Sequence, residues 1–499
     1  MRYSFLVVCG ICFSVCTQVL AQPTYQRITP SDSTLREATF GSDLAFHGDK
    51  LLIANTGYSK DYAYEGAVEQ YEEHQGEWIR TGLIQPEIKS EYGQFGNAIE
   101  VIGNELLVLS QTSLHVFEDD MGRWAEKQTV TLSDDPEFQN AGWLIKTEGH
   151  LFSGVSRRIS FGSGASFTGE SALIYFQKKD TSWVVKQFIQ PQPGVPDSFG
   201  RYACMLKGQL VVSAHRDPWI SEHSPAGSLY LYSKDGGEWV EKQKIFLENA
   251  EDADQFGAGL ACFDDQLLVR SRSKMSRFEK RDSLLIETDS VALAHDISFS
   301  SIVYASGDTL FMHKDYPPTM VDGRELYLSS LYFYKWNAGQ LKLLKELTFP
   351  DVIADWARDD GSFGNKIAMN EQYFVVGAPF MDRYIGEDYF DEQGEVFLFE
   401  NQEYLVSFER SPIPRSNELQ FSLFPNPANH VLQISTRAVF QKPLQFKLYD
   451  TLGRMLKSKT LHPYSQSYTV VIEGLPAGLY ALQICNEDVN CASQIFIKQ

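Results

Sequence analysis

An all-β chain, a seven-bladed β-propeller followed by a small C-terminal β-sandwich, is predicted by three observations. Seven short hairpins recur along most of the sequence, beginning at Leu44, Ile99, Leu144, Ala203, Leu260, Ile302 and Ile367. Each is introduced by Phe-Gly or a degraded form of it: Phe40-Gly41, Phe95-Gly96, Ala141-Gly142, Phe199-Gly200, Phe256-Gly257, Phe299-Ser300 and Phe363-Gly364. Aromatic residues reach 13%, Gly and Pro punctuate the chain, and no helical stretch of any length is visible.

Taken in chain order, the first 21 residues carry Arg2, a broken apolar run from Phe5 to Leu20 and small-residue ends, a secretory signal peptide. Gln22 stands where a lipoprotein would need Cys. No later apolar run reaches the length of about 18 residues that a membrane helix needs, so no membrane span is expected in the mature protein. The formal charge of −21 argues against nucleic acid or an anionic membrane as partner, because phosphate binding requires clustered positive charge.

The hairpins begin 42 to 65 residues apart (44, 99, 144, 203, 260, 302, 367), the size of a four-stranded blade with variable loops. In each, two strands flank a Gly, Asp or Asn turn of the kind that tolerates positive φ. A third and a fourth strand follow, as in Ser228–Tyr232 and Glu238–Phe246, and the fourth strands begin at Trp78, Trp124, Trp183, Trp239, Phe278, Leu341 and Tyr404. Radial closure of such meanders lets each sheet bury both faces against its neighbours. The Phe of Phe-Gly is expected to pack blade against blade, and the Gly to allow close backbone approach. The last blade can be closed by Tyr25–Ile28 or by Tyr404–Phe408.

The stretch Phe363–Pro379 with Gly394-Glu-Val-Phe-Leu-Phe399 resembles the FG-GAP repeat of integrin-α-type propellers, in weakened form over about residues 25–410. Calcium-binding members of that family carry an Asp-rich loop between the first two strands. Here that connection is a tight turn such as Gly103-Asn104, so no metal is expected by that route.

Meander geometry places every second-to-third connection at one end of the blades. The long loops, Thr56–Gly66, Val155–Ser171, Arg216–Gly227, Lys314–Ser329 and Phe380–Glu395, are all of this kind, so one face is elaborated. It gathers Tyr58, Tyr62, Tyr64, Trp219, Tyr316, Tyr384, Tyr389 and Phe390 with Asp382, Asp388 and Asp391, a mixture suited to contact with a protein or glycan.

Chemistry is not announced. There is no GxSxG, HExxH, P-loop or correctly placed GxGxxG. The pairs Asp119-Asp120, Asp134-Asp135 and Asp359-Asp360 fall in turns or connections, and His215 with His223 lacks a third ligand. No catalytic residue, metal or cofactor is assigned. Of seven cysteines three leave with the signal peptide; Cys204 and Cys262 read as buried free thiols, and Cys485 with Cys491 could bridge across a turn.

Pro-rich Pro412–Ser416 reads as a linker between a propeller over 22–411 and a strand-rich module over 417–499. In that module Leu423-Phe-Pro425-Asn426-Pro427, Leu448-Tyr-Asp450-Thr-Leu-Gly453 and Leu475-Pro-Ala-Gly478-Leu-Tyr480 resemble the type A C-terminal sorting domain of the type IX secretion system of Bacteroidetes. That resemblance implies the type IX machinery as partner and a secreted or outer-surface destination. The function expected is that of a non-catalytic binding or adhesion propeller with an unknown extracellular protein or glycan ligand; the alternative is a propeller enzyme acting on polysaccharide.

Overall fold

The computed structural model describes residues 25–30, 38–134, 138–160, 166–191, 198–217, 226–247, 254–263, 265–272, 274–281, 284–293, 301–306, 309–315, 319–321, 324–326, 329–337, 340–348, 360–381, 383–385, 388–390, 393–400, 421–424, 428, 430–436, 444–450, 454–461, 467–485 and 491–498. Among them every regular element is a strand.

After β1 (Tyr25–Ile28), the first sheet comprises β2 (Phe40–His47), β3 (Lys50–Asn55), β4 (Ala67–His74) and β5 (Glu77–Ile84). The second has β6 (Ala98–Ile102), β7 (Glu105–Leu109), β8 (Ser113–Asp120) and β9 (Arg123–Thr131); the third β10 (Phe138–Thr147), β11 (His150–Ser160), β12 (Ser166–Lys179) and β13 (Ser182–Ile189). Then come β14 (Phe199–Leu206), β15 (Gln209–Ala214), β16 (Ser228–Asp235) and β17 (Glu238–Ile245), and β18 (Gly259–Phe263), β19 (Gln266–Arg270), β20 (Lys274–Arg281) and β21 (Leu284–Ala292). The sixth sheet joins β22 (Ser301–Ser306) and β23 (Thr309–Asp315) to β26 (Ser329–Asn337) and β27 (Gln340–Thr348), with the small hairpin β24 (Thr319–Val321) and β25 (Arg324–Leu326) between them. In the seventh, β29 (Lys366–Met369), β30 (Tyr373–Ala378) and β34 (Glu395–Glu400) are completed by β1; β28 (Asp360–Gly361) pairs with β31 (Phe380–Met381), and β32 (Arg383–Ile385) with β33 (Asp388–Phe390).

Burial explains why these segments read as they do. Second strands such as Leu51-Leu-Ile-Ala54 and Leu106-Leu-Val-Leu109 are buried at every position, because neighbouring sheets cover both faces, and so appear as continuous apolar runs. Fourth strands alternate instead, as in β9, whose even positions are half-buried and whose odd ones are exposed until Val130. The third and fourth strands share a repeated irregularity, a register shift between Gln70 and Tyr71, Val116 and Phe117, Tyr175 and Phe176, Leu231 and Tyr232, Arg277 and Phe278, and Phe333 and Tyr334. An aromatic follows the bulge each time. This corrects the expected fourth strand at Phe278: that residue is the post-bulge aromatic of β20, and the position taken elsewhere by Trp78 or Trp239 belongs to Leu285.

The sheets form a propeller-like ring of contacts. First strands touch in succession, β2 with β6, β6 with β10, β10 with β14, β14 with β18, β18 with β22, β22 with β29, and β29 with β2. A common latch joins neighbours. The Phe95 amide donates to Glu65 O at 3.1 Å, the Phe256 amide to Ala226 O at 2.8 Å and the Phe40 amide to Gln393 O at 3.0 Å, the last joining the seventh sheet to the first. The following glycines, Gly66, Gly227 and Gly394, have φ of 80, 82 and 77°, and a Cβ on any of them would lie 2.2 Å from the carbonyl oxygen of the facing Phe. Phe40, Phe95, Phe199, Phe256 and Phe363 are all buried between sheets, as expected.

Cys204 in β14 and Cys262 in β18 are not free thiols but a disulfide, Cα–Cα 5.9 Å, crossing from the fourth sheet to the fifth; two strands 58 residues apart in sequence are brought together by the ring, which spacing cannot reveal. Of the two candidates for closing the last blade, β1 is seen in place, pairing Tyr25 with Phe399 through Ile28 with Val396, while Tyr404–Phe408 lies outside the described residues.

The C-terminal module has two sheets. One orders β35 (Phe421–Phe424), β36 (Val431–Thr436) and β39 (Ser467–Val471); the other orders β38 (Met455–Leu461), β37 (Leu444–Asp450), β40 (Gly478–Cys485) and β41 (Cys491–Lys498). They share one core of Phe421, Leu432, Ile434, Phe446, Leu482 and Phe496 with their neighbours. Cys485 is disulfide-bonded and stands opposite Cys491 in the β40–β41 register.

Candidate functional site

On the elaborated face the best-defined surface lies where the β3–β4 loop meets the β5–β6 connection. Within residues 56–66 the Ser59 hydroxyl accepts the Tyr64 amide proton at 2.8 Å and donates to Gly57 O at 2.8 Å. Across the gap the Tyr92 amide donates to Ala63 O at 2.7 Å and the Gln94 amide to Tyr64 O at 2.9 Å. Tyr64 and Tyr92 both occupy the left-handed region (φ 50 and 57°) and stack their rings at 5.6 Å and 18°. Tyr62 and Tyr92 are 52% and 54% exposed. Beside them Asp61 and Lys89 pair at 2.5 Å, and that hydrogen bond holds the Asp61 carboxyl below its ordinary range.

Tyr58 is a correction: it is 5% exposed, buried beneath the loop, whose Gly66 amide donates to Tyr58 O. The Tyr58 amide donates to Asn55 O at the end of β3 and its carbonyl accepts from the Gly66 amide, so the residue sits at the base of the loop and not at its tip. Trp219, Tyr316, Asp382 and Asp391 lie outside the described residues. Tyr384, Asp388, Tyr389 and Phe390 are on the β32–β33 hairpin, with Tyr384 opposite Tyr389, on the same second-to-third connection as expected. Thus Tyr64 stacks on Tyr92, a residue not among the expected site positions, while Tyr62, two residues before Tyr64 in the same loop, is exposed.

Under this rim is a cavity of about 410 Å³ whose polar lining includes Glu65, Ser110, Thr112, Ser113, His115 and Glu126. His115 Nδ1 stands 2.8 Å from Glu126 Oε1, and its Nε2 3.1 Å from Ser110 Oγ. Glu126 also accepts from the Thr129 hydroxyl at 2.7 Å and the Glu87 amide at 2.7 Å. Burial works against the Glu126 charge, but these donors outweigh it and leave its pKa lowered; burial outweighs Glu126 at His115, whose pKa is lowered as well. A charged Glu126 only accepts, so Nδ1 carries the imidazole proton and Nε2 accepts from Ser110.

Such a chain has the order of a nucleophile, a base and an orienting carboxylate. Its counterparts decide its role. Two residues before the post-bulge aromatic, the first sheet has Glu69, held by Asn55 at 3.2 Å and Arg80 at 3.3 Å; the fourth has Tyr230, 3.4 Å from Asp217; the sixth has Tyr332, 3.0 Å from Glu346. His115 is the second sheet's form of a recurrent polar brace.

A second polar cluster sits at the top of the fourth and fifth sheets. His215 is mostly buried, its Nδ1 has no hydrogen-bond partner, and its pKa is lowered to about 3 by burial first and then by Arg216, Arg201 and Arg270. Arg201 lies over the Trp143 ring at 5.0 Å. His223 lies outside the described residues, and among those described no group of three or more His, Cys, Asp or Glu could hold a metal ion. No described helix is long and apolar enough to cross a membrane.

Residues 422–498 match the secretion system C-terminal sorting domain family. No curated protein matches the chain. Among solved structures it is similar to PorZ, a surface component of the type IX secretion system of Porphyromonas gingivalis, at 12% identity and TM-score 0.40; the match covers 92% of this chain, which spans 59% of the length of that one. It is also similar to a fungal alcohol oxidase of the AA5 family in complex with copper, at 12% identity and TM-score 0.43, covering 96% of this chain and 99% of the other. Likenesses so distant carry no argument about ligand or chemistry. The sorting domain at 422–498 does carry one: this is a protein exported by the type IX secretion system to the cell surface or the medium, and its C-terminal module engages that machinery.

Proposed function

We propose that the protein is a seven-bladed β-propeller of FG-GAP-like repeats that binds an extracellular protein or glycan through its elaborated face. In this reading residues 1–21 are a signal peptide, 22–411 the propeller, 412–416 a linker and 417–499 the sorting domain. The observation that carries it is the patch of Tyr62, Tyr64 and Tyr92, two rings stacked and two half-exposed, set in loops cross-braced by backbone hydrogen bonds. Rigid aromatic platforms of this kind supply contact area with little ordering cost.

Glycan arrays and partner pull-downs with the mature chain, repeated after Tyr62→Ala with Tyr92→Ala, test it. Binding should weaken by more than about 1 kcal/mol with the melting temperature unchanged. Undiminished binding would move the site elsewhere. Release of reducing ends from polysaccharide, lost on His115→Ala, would instead favour the enzymatic alternative, for which the Ser110–His115–Glu126 chain is the nearest arrangement.

A further inference from the structure

Arg201 and Arg216 are brought together by one residue. The Arg201 amide donates to Ser198 O at 3.2 Å, and the Arg216 amide to Ser198 Oγ at 3.1 Å. Arg201 follows Phe199-Gly200 in β14, where Phe199 pairs with Ala214 of β15, and Arg216 opens the β15–β16 loop, so both stand on the elaborated face. Beside them the rings of their chain neighbours Tyr202 and His215 meet at 6.1 Å. Both arginines are exposed, and among the described residues neither guanidinium has an ion pair or a hydrogen bond. Carboxylates are plentiful in a chain with 65 acidic residues against 44 basic ones, yet these two adjacent cations have none. The nearest in sequence, Asp217, is taken by Lys244 at 2.7 Å and the Ser228 hydroxyl at 2.6 Å.

Arg201 is also positioned in advance. Its guanidinium lies 5.0 Å from the centre of the Trp143 ring. That indole is fixed by its Nε1, which donates to Gly200 O at 2.6 Å, and it rests against β11 at Gly154, where any Cβ would overlap it. A planar cation seated on a fixed ring loses little freedom when its N–H edge meets an oxyanion. The positive field is felt locally: after burial, the charges of Arg216, Arg201 and the buried Arg270 keep the His215 imidazole neutral.

We propose that Arg201 and Arg216 form an anion site on the binding face and take the carboxylate or sulfate of an acidic polysaccharide. The inference rests on the binding function proposed above and names the charge class of its ligand. Guanidinium forks match either oxyanion through paired N–H donors, whereas a neutral sugar would leave the repulsion between the two cations unrelieved. A protein partner would seat an apolar or aromatic anchor at the centre of the contact. Of the exposed large apolar side chains among the described residues, none lies within 141–144, 198–202 or 214–217. The site spans the third and fourth sheets, while the tyrosine patch joins the first and second, so the two can be altered independently.

The experiment is calorimetric titration of the mature chain with polygalacturonate, dextran sulfate, neutral dextran and polyglutamate, using the parent, Arg201→Gln, Arg216→Gln and the double variant. At least one acidic polysaccharide should bind, the pair distinguishing carboxylate from sulfate, and binding should weaken as salt is raised. Each single change should weaken it roughly tenfold, with the melting temperature unchanged because neither guanidinium is paired within the fold. Lys127→Gln, at an exposed position on the second sheet, should leave it unaltered. If a Gln variant melts early, phenylglyoxal modification of the folded parent reads the same contact: bound polysaccharide should protect Arg201 and Arg216, and their full modification in its presence overturns the site. It is overturned equally by binding that survives the double change, by equal binding of polyglutamate, by an equal loss in Lys127→Gln, or by no binding of either acidic polysaccharide. Partners still captured through Tyr62 and Tyr92 would then leave the binding propeller standing; capture of nothing at all would remove the parent reading as well.

Discussion

Cys204 and Cys262 make the most quantitative prediction. They sit in β14 and β18, the first strands of adjacent sheets, within one cluster with Leu206, Leu267 and Leu285, so their bond adds a covalent tie between two sheets that also meet through side-chain packing, the loop latch and the paired Gln243–Leu285 hydrogen bonds. Closing 58 residues of chain removes roughly 14 cal/mol/K from the unfolded ensemble, or about 4 kcal/mol at 25 °C. For a unit of roughly 380 residues unfolding in one transition, that corresponds to about 5 °C in melting temperature. The perturbation is Cys204→Ala with Cys262→Ala, alanine being chosen because the site is apolar; scanning calorimetry of variant and parent, each with and without reductant, reads the effect. The parent should fall to the variant's temperature on reduction, and the variant should not respond at this site. Two routes would refute the reasoning: unchanged melting in the variant, or alkylation of Cys204 and Cys262 in unfolded, unreduced protein followed by mass spectrometry.

Two further outcomes follow from the ring. Gly394→Ala should cost at least about 3 kcal/mol, since left-handed strain is joined by a Cβ 2.2 Å from Phe40 O, whereas Gly48→Ala, with φ 61° and nothing within 4 Å, should cost about 1 kcal/mol; equal losses in urea unfolding would dismiss the latch. His215 stays neutral in the folded protein down to about pH 3 while its unfolded counterpart protonates near 6.5, so the unfolded state binds more protons between those values. Stability should therefore decline as pH falls through that window, by up to about 5 kcal/mol from this group alone, and His215→Leu should flatten the decline; an imidazole signal from His215 titrating near its ordinary value would contradict this.

What the sequence made legible was the repeat. Leu44–Ile53, Ile99–Val108 and Leu260–Val269 fall on β2–β3, β6–β7 and β18–β19, because strands buried on both faces must be apolar throughout and their turns must be small. The site was far less legible, and Glu126 shows why. Without the register shift at Val116 and Phe117, strict alternation would set Lys127 on the same side as His115; the bulge puts Glu126 opposite Phe117 and so beside the imidazole. A one-residue irregularity thus sets an anion rather than a cation beside His115, and nothing in the spacing of the two residues announces it. Tyr92 was missed for another reason: it belongs to a fourth-to-first connection, which only the folded ring places against the β3–β4 loop. The disulfide was hidden in the same way, by contacts that exist between sheets and not along the chain.

Closure by β1 adds a constraint on order. The seventh sheet is built from residues 366–400 and is completed by residues 25–28, so its outer strand and its inner three come from opposite ends of the ring-forming chain. Arg27 and Glu395 fasten that join with two charge-assisted hydrogen bonds of 2.5 Å, and Glu395 is buried. A buried carboxylate left without its cation is strongly destabilising, so the last sheet gains its full stability only once the N-terminal segment has docked. Joining ends so far apart carries a loop-closure cost that local hairpins do not. The hairpins can therefore form as the chain emerges, whereas the ring can close only after β34 is available. That places completion of the ring after the whole segment from β1 to β34 has been made.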